Sequence, residues 1–353
     1  MSAGRFFTPR EGGLECGLCP RRCLLAPGEG GQCRARFNRG GKPELPFYGC
    51  VTALAVDPIE KKPLYHFRPG SDILSAGFAG CNLRCPFCQN WHISQDIHVQ
   101  NAKGRFCSPA ELAAAAAKAE KDGQSAIAYT YSEPLVHIEF LLDCMREARK
   151  AGTANVLISN GCVNPEAAAE ILDLASAANI DLKCFSEETY ENVLGGKLSA
   201  VTGFIRMAVE KGIHLELTTL VVPGLNDSKA ELGKCRDFIA ELQARGSAVP
   251  WHLSAYRPSW KWNAPSTDPA FLVDVAGQAR EKLPYVYTGN IPPKGGFNDT
   301  LCPGCGKILI SRQGYKADTS GLSVKQGAKK DTKTGDGSRL YVCNSCGQRA
   351  PVL

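Results

Sequence analysis

The chain has 353 residues, 44% hydrophobic and 22% charged, ordinary proportions for a globular protein with one full core and room for smaller modules. No apolar run approaches the roughly 20 residues of a membrane-spanning helix, and residues 1–13 lack the apolar core of a signal peptide, so the expected compartment is the cytoplasm. Lys plus Arg is 41 against 35 Asp plus Glu; residues 301–353 hold nine basic and three acidic residues, which is the whole excess, so residues 1–300 are neutral and a nucleic-acid groove on the main body is not expected.

Residues 1–50 are rich in Gly and Pro and carry Cys16, Cys19, Cys23 and Cys33 in a C-x2-C-x3-C-x9-C spacing. They read as loops gathered around a ligand cluster. Residues 51–75 read as an irregular stretch with few helix signals. From about residue 76 a regular alternation begins. Strands are expected at 73–80, 125–131, 154–161, 179–185, 214–224 and 249–256. Between them, Ser108-Pro109-Ala110-Glu111 and Asn164-Pro165-Glu166 open capped helices, with others at 135–152, at roughly 228–245 and after Asp268-Pro269. Strands alternating with capped helices in about six units indicate a parallel α/β architecture, a partial (β/α)6 TIM barrel with polar segments at the strand C-termini. The expected division is 1–70, a Cys-rich lobe; 71–290, the partial barrel; and 291–353, a small metal-binding module. Residues 313–339, rich in Gly, Ser, Thr and Lys, read as a loop within that module.

Seventeen cysteines are far more than such a chain needs for packing, and in a cytoplasmic protein clustered cysteines usually ligate metal. Cys81, Cys85 and Cys88 form a C-x3-C-x2-C loop directly after the first barrel strand. Three thiolates there hold three irons of a [4Fe–4S] cluster and leave the fourth iron open to a cofactor. The alternative is a structural zinc completed by a distant ligand such as His92. Cys302, Cys305, Cys343 and Cys346 form two C-x2-C-G knuckles, the donor set of a zinc ribbon, with a rubredoxin-like iron site as the alternative. The Cys16 set suits either a second Zn2+ or an auxiliary [4Fe–4S] cluster, and spacing does not choose; Cys50 is a substitute ligand. Cys107, Cys144 and Cys235 stand singly outside these sets, and Cys162 and Cys184 read as small buried residues.

The C-x3-C-x2-C loop with Phe87 before its last cysteine resembles the radical SAM signature. Asp57-Pro58-Ile59-Glu60-Lys61-Lys62-Pro63-Leu64-Tyr65-His66-Phe67 and Cys88-Gln89-Asn90-Trp91 resemble the pyruvate-formate-lyase-activating-enzyme-like group, and within it the AmmeMemoRadiSam system radical SAM enzymes. The resemblance extends to the N-terminal CGLCPRRC and the C-terminal CPGCG and CNSCG. It implies that the cluster cleaves S-adenosylmethionine to a 5′-deoxyadenosyl radical, which abstracts hydrogen from a substrate. It also implies a flavodoxin- or ferredoxin-type reductant and Memo-type and AMMECR-type partners. By the same resemblance Glu133, in Tyr131-Ser132-Glu133, stands at the family's Gly-Gly-Glu element and accepts from the methionine ammonium, although the glycines are missing; a plain helix start is its other reading.

Asn160 at the end of the third strand is a polar contact or a turn residue. Asp181 and Lys183 share a strand face by alternation and either meet the cofactor or pair internally. His252 on the last predicted strand touches cofactor or substrate, or is a satisfied core histidine. Thr218 and Val221 are expected to line the cofactor cavity. Three functions remain open: a radical SAM enzyme acting on a small molecule, peptide or RNA; an activase that makes a glycyl radical on a partner enzyme; and a non-catalytic iron–sulfur or zinc partner-binding module, whose basic tail could meet an acidic protein or RNA.

Overall fold

The computed structural model describes residues 4–97, 104–119, 125–243, 248–292, 297–326 and 339–353. Its centre is one eight-stranded sheet: β1 (Ala53–Pro58), β2 (Asp72–Gly77), β3 (Ala126–Thr130), β4 (Ala154–Ser159), β5 (Ala177–Asp181), β6 (His214–Val221), β7 (Trp251–Ala255) and β8 (Val286–Gly289), in that spatial order. From β2 to β8 every pairing is parallel; β1 pairs antiparallel with β2. The sheet is open, with β1 and β8 as its edges. β3 is buried at every position, as expected of a parallel strand covered on both faces.

Six principal helices connect the strands: α1 (Pro109–Lys118), α2 (Ile138–Lys150), α3 (Pro165–Leu172), α4 (Leu198–Glu210), α5 (Lys229–Gln243) and α6 (Pro269–Arg280). The caps follow the sequence in part. Ser108 and Glu111 form a reciprocal capping box on α1, and Asp268 accepts from the Ala270 amide at the start of α6. Asn164 makes no side-chain cap; its Nδ2 instead donates to the Gly17 carbonyl at 2.7 Å, tying α3 to the N-terminal lobe.

Four elements differ from the sequence reading. β1 lies in the stretch read as irregular; its Leu54 and Val56 are 43% and 49% exposed, so it has no buried apolar face to betray it and forms through backbone pairing with β2. β8 is a seventh parallel strand, only four residues long and too short for a periodic signal. α4 follows Lys197, which makes no side-chain cap. Residues 1–50 are not loops alone: Phe7–Arg10, Gly13–Cys16 and Leu24–Leu25 form a three-stranded antiparallel sheet, and Phe37–Arg39 pairs with Lys42–Glu44.

Both flanking segments are tied to the barrel. In the N-terminal lobe, Arg36 donates to Glu139 on α2 at 2.7 and 2.8 Å, with both side chains almost fully buried. In the C-terminal segment, Ile308–Gln313 pairs with Lys316–Asp318, and Leu322–Gln326 with Arg339–Cys343, so the segment read as a loop is partly strand; its residues 327–338 lie outside the described residues. Among the described residues no helix is long and apolar enough to cross a membrane.

Candidate active site and metal centres

The C-terminal ends of the parallel strands open onto a cavity of about 970 Å³. The thiol loop follows β2 and is held from several sides. The Asn82 side chain donates to the Cys162 carbonyl at 2.7 Å, Gln95 Nε2 donates to the Leu83 carbonyl at 2.9 Å, and the Arg84 amide donates to the Leu194 carbonyl at 2.7 Å. Gly80, with φ of 88°, permits the turn into Cys81. Cys81, Cys85 and Cys88 all line the cavity, and no other cysteine is among its described lining residues. Burial pushes the Cys81 thiol well above its ordinary value and Cys85 up to about 12. Thiols so placed ionise only when a cation compensates, which suits a metal cluster and not three free thiolates. His92, the alternative fourth ligand for a zinc, is exposed and packs edge-on to Trp91 at 6.1 Å, outside the described cavity lining.

Glu133, Asn160, Asp181, Lys183 and His252 line the same cavity as the three thiols. Glu133 is buried and accepts from the Leu135 amide at 3.0 Å, Ser159 Oγ at 2.7 Å and the Asn160 amide at 2.9 Å. It therefore caps a short turn and also faces the cavity. Burial pushes it up to about 7, against the bonds from Asn160, Ser159 and Leu135. Asn160 Nδ2 donates to Asn82 Oδ1 at 2.9 Å and lies 3.7 Å from Cys81 Sγ.

Lys183 pairs with Asp181 at 2.9 Å. Burial opposes its charge, but Asp181 and the Cys85 thiol more than offset this and raise it above the ordinary lysine value. His252 bonds Glu216 at 2.6 Å, and Glu216 also accepts from His214 and from the Tyr65 and His66 amides. Burial would make Glu216 the acid, yet the bonds from His214 and His252 hold it well below the usual carboxylate range. His252 is thus both a satisfied buried histidine and part of the cavity wall. Thr218 lines the cavity and donates to Asn179; Val221 is buried in the core, and Leu220 stands on the wall in its place.

Several residues at or beside the cavity have no site role in the sequence reading. Asp57 accepts from Lys61 at 2.8 Å, Lys62 at 2.7 Å and the Tyr131 hydroxyl at 2.6 Å. Burial acts against its ionisation, but the three bonds hold it well below the usual range. Lys62 and Tyr131 face the cavity. Tyr131 has φ of 68°, the left-handed backbone that glycine adopts freely, and its carbonyl accepts from Asn90 at 2.6 Å. The Asp57–Phe67 motif and Tyr131 were visible in the sequence, but their meeting was not. Asn298, Gly314 and Tyr315 also reach the cavity, from beyond the last barrel helix, and no sequence signal marks them.

The C-terminal thiols Cys302, Cys305, Cys343 and Cys346 lie within 4.8 Å of one another; among the described residues no other three or more His, Cys, Asp or Glu ligand atoms are so grouped. Cys302–Cys346 and Cys305–Cys343 are 3.6 and 3.7 Å apart. Four thiolates about 2.3 Å from one ion, as in zinc sites, stand about 3.8 Å apart in a tetrahedron, so this group matches a single-ion centre. Cys16, Cys19, Cys23 and Cys33 surround a separate, small cavity with Arg36 and Asn82.

The family model "Radical SAM superfamily" matches residues 77–233. Over 342 residues the chain is 35% identical to uncharacterized protein MJ0808 of Methanocaldococcus jannaschii, covering 96% of each chain. It is 22% identical over 172 residues to pyruvate formate-lyase 1-activating enzyme of Escherichia coli, covering 47% of this chain and 67% of that one. Among solved structures, Streptococcus suis SuiB bound to S-adenosylmethionine aligns with a TM-score of 0.48 and 13% identity, over 62% of this chain and 52% of SuiB. The chain belongs to the radical SAM superfamily of enzymes and is related to the pyruvate formate-lyase-activating enzymes.

Proposed function

We propose that the protein is an AmmeMemoRadiSam-type radical SAM enzyme that removes a hydrogen atom from a substrate held in the 970 Å³ cavity. The carrying observation is the convergence of Cys81, Cys85 and Cys88 with Glu133, Asn160, Asp181 and Lys183 on that cavity. The three thiols hold a [4Fe–4S] cluster with one open iron. When bound and reduced, the cluster supplies the electron that cleaves S-adenosylmethionine to methionine and a 5′-deoxyadenosyl radical. Glu133 accepts from the methionine ammonium, Asn160 orients the polar groups beside Cys81, and Lys183 with Asp181 meets the carboxylate or ribose. Lys62, Tyr131 and His252 form part of the wall around the substrate space. The C-terminal thiols hold one structural Zn2+.

A flavodoxin- or ferredoxin-type carrier is the reductant, and Memo-type and AMMECR-type proteins are the functional partners. A second reading, activation of a glycyl-radical enzyme, is favoured by the 22% identity to the Escherichia coli activating enzyme. The test is anaerobic reconstitution followed by dithionite and S-adenosylmethionine. Methionine and 5′-deoxyadenosine should form, and alanine at Cys81, Cys85 or Cys88 should abolish them; robust product from the triple variant would refute the assignment. Incubation with a glycyl-radical enzyme, read by electron paramagnetic resonance, separates the two readings.

A further inference from the structure

We propose that Cys16, Cys19, Cys23 and Cys33 hold a [4Fe–4S] cluster that relays electrons to the cluster on Cys81, Cys85 and Cys88. The destination of the electron rests on the proposed function; the identity of the N-terminal centre does not.

Size is the first observation. The chain carries two four-thiol sets, and they differ. The C-terminal set is drawn together to single-ion dimensions. The N-terminal four are not so grouped, although they line one cavity and come from only 18 residues of chain. A cubane cluster binds each thiolate to a different iron and so spreads its ligands wider than one ion does. Arg36 is the second observation. It lines this cavity, is 1% exposed, and keeps a buried Nε–H without a hydrogen-bond partner among the described residues. An orphan donor of a guanidinium beside four thiols fits an anionic centre that offers further acceptor sulfurs.

Position is the third. A Cβ built on Gly80 would lie 2.2 Å from the carbonyl oxygen of Cys33, so the backbone before Cys81 is pressed directly against the last ligand of the N-terminal set. Asn82, directly after Cys81, lines the N-terminal cavity; its Oδ1 accepts from Asn160 Nδ2, which approaches Cys81 Sγ. One layer of backbone separates the two thiol sets. Electron transfer weakens steeply with distance, so this contact serves a relay, whereas a redox-inert zinc gains nothing from it. Cys16 and Cys33 are buried toward the barrel, while Cys19 and Cys23 are partly exposed beside the exposed Arg21, Arg22 and Leu24. The centre thus has an inner and an outer edge.

The step balances as a single electron. A low-potential one-electron carrier protein loses one electron to the outer centre, which is reduced. The electron then passes to the Cys81-bound centre, which is reduced as the outer centre is reoxidised. No bond forms or breaks and no proton moves.

Two variants test this. In the first, Cys81, Cys85 and Cys88 are all alanine, and the reconstituted protein is analysed for iron, sulfide and zinc. About four irons should remain, with a resonance signal on reduction by dithionite. Two zincs and no iron would overturn the proposal. Iron content equal to that of the unaltered protein would instead refute a cluster on Cys81, Cys85 and Cys88, a failure of the proposed function. In the second, Cys19→Ser and Cys23→Ser are combined. Dithionite should still reduce the remaining cluster, while reduction by flavodoxin or ferredoxin, read by the resonance signal, slows by an order of magnitude or more. Reduction by the carrier protein at an unaltered rate would overturn the relay.

Discussion

Arg312 stacks its guanidinium on Tyr65, 4.1 Å from the ring centroid, and donates from Nη2 to the Tyr65 carbonyl at 2.7 Å. The same guanidinium donates from Nη1 to Thr300 Oγ1 at 2.8 Å and to the Asn298 carbonyl at 3.1 Å, and lies 3.8 Å from Glu60. A residue of the C-terminal segment is thereby locked under the cavity. The chain terminus adds to the contact: the Leu353 amide donates to the His66 carbonyl, and the Arg68 amide to the Leu353 carbonyl. These contacts bind residues 301–353 to the wall of the cavity, so the segment is not a free appendage.

Arg312→Ala should lower the urea midpoint, at a cost on the order of 3–5 kcal/mol, because it leaves the Tyr65 carbonyl without its donor and buried Glu60 without the positive charge beside it. Arg312→Lys should recover only part, since an ammonium cannot reproduce the planar fork. Deleting 301–353 should reduce product formation as well as zinc. A stable Arg312→Ala protein, or full turnover by the truncated chain, would show that the contact is incidental.

The pH dependence of cofactor binding follows from Glu133. Its folded value of about 7 is raised above the ordinary 4.5, so the fold favours the neutral acid. Its contribution to stability is therefore present below about 4.5 and lost as pH rises through about 7. Binding a methionine ammonium needs the ionised form. S-adenosylmethionine affinity should thus rise with pH up to about 7 and level off above it, falling about tenfold per unit below that value. Glu133→Gln should flatten the profile and weaken binding at neutral pH. An unchanged profile in that variant would remove Glu133 from the cofactor contacts.

Lys183→Met separates two roles of the Lys183–Asp181 pair. If the ammonium meets the cofactor, affinity should fall by about 1.5–3 kcal/mol, tenfold to a hundredfold or so, with iron content intact. If the pair is structural, thermal stability and iron loading should fall together. Calorimetry and iron analysis of one preparation decide between them.

For the C-terminal set, Cys302→Ser with Cys346→Ser should remove about one zinc per chain. Because Cys343 and Cys346 border the strands that carry the chain back toward the barrel, thermal stability should drop as well. Unchanged zinc content would place the ion elsewhere.

Much of the site chemistry was legible before folding. The spacing of Cys81, Cys85 and Cys88, the knuckles at Cys302 and Cys343, and the Ser108–Glu111 capping box are local patterns, each encoded within a dozen residues or fewer. Asp181 and Lys183 both reach the cavity with Leu182 fully buried between them, although β5 ends at Asp181, so the turn beyond the strand and not strand alternation places Lys183. The failures have separate causes. β1 forms through its pairing with β2 and has no buried apolar face, whereas β8 is buried but only four residues long, too short for periodicity to detect.

The sequence by itself determined which chemistry is available: three sets of thiols, a parallel α/β core, and polar residues at strand ends. Only the tertiary structure decided which of these meet. Glu216 draws His214, His252 and the Tyr65 loop to one point, and Arg312 crosses 247 positions to reach Tyr65. Cys33 comes to rest against Gly80 although 46 residues lie between them in the chain. Ligand spacing is a property of a few adjacent residues and can be read without the fold, while a cap such as Asn164 can be drawn off by a distant partner. Such distant contacts arise from the summed packing of many side chains and carry no signature at either end.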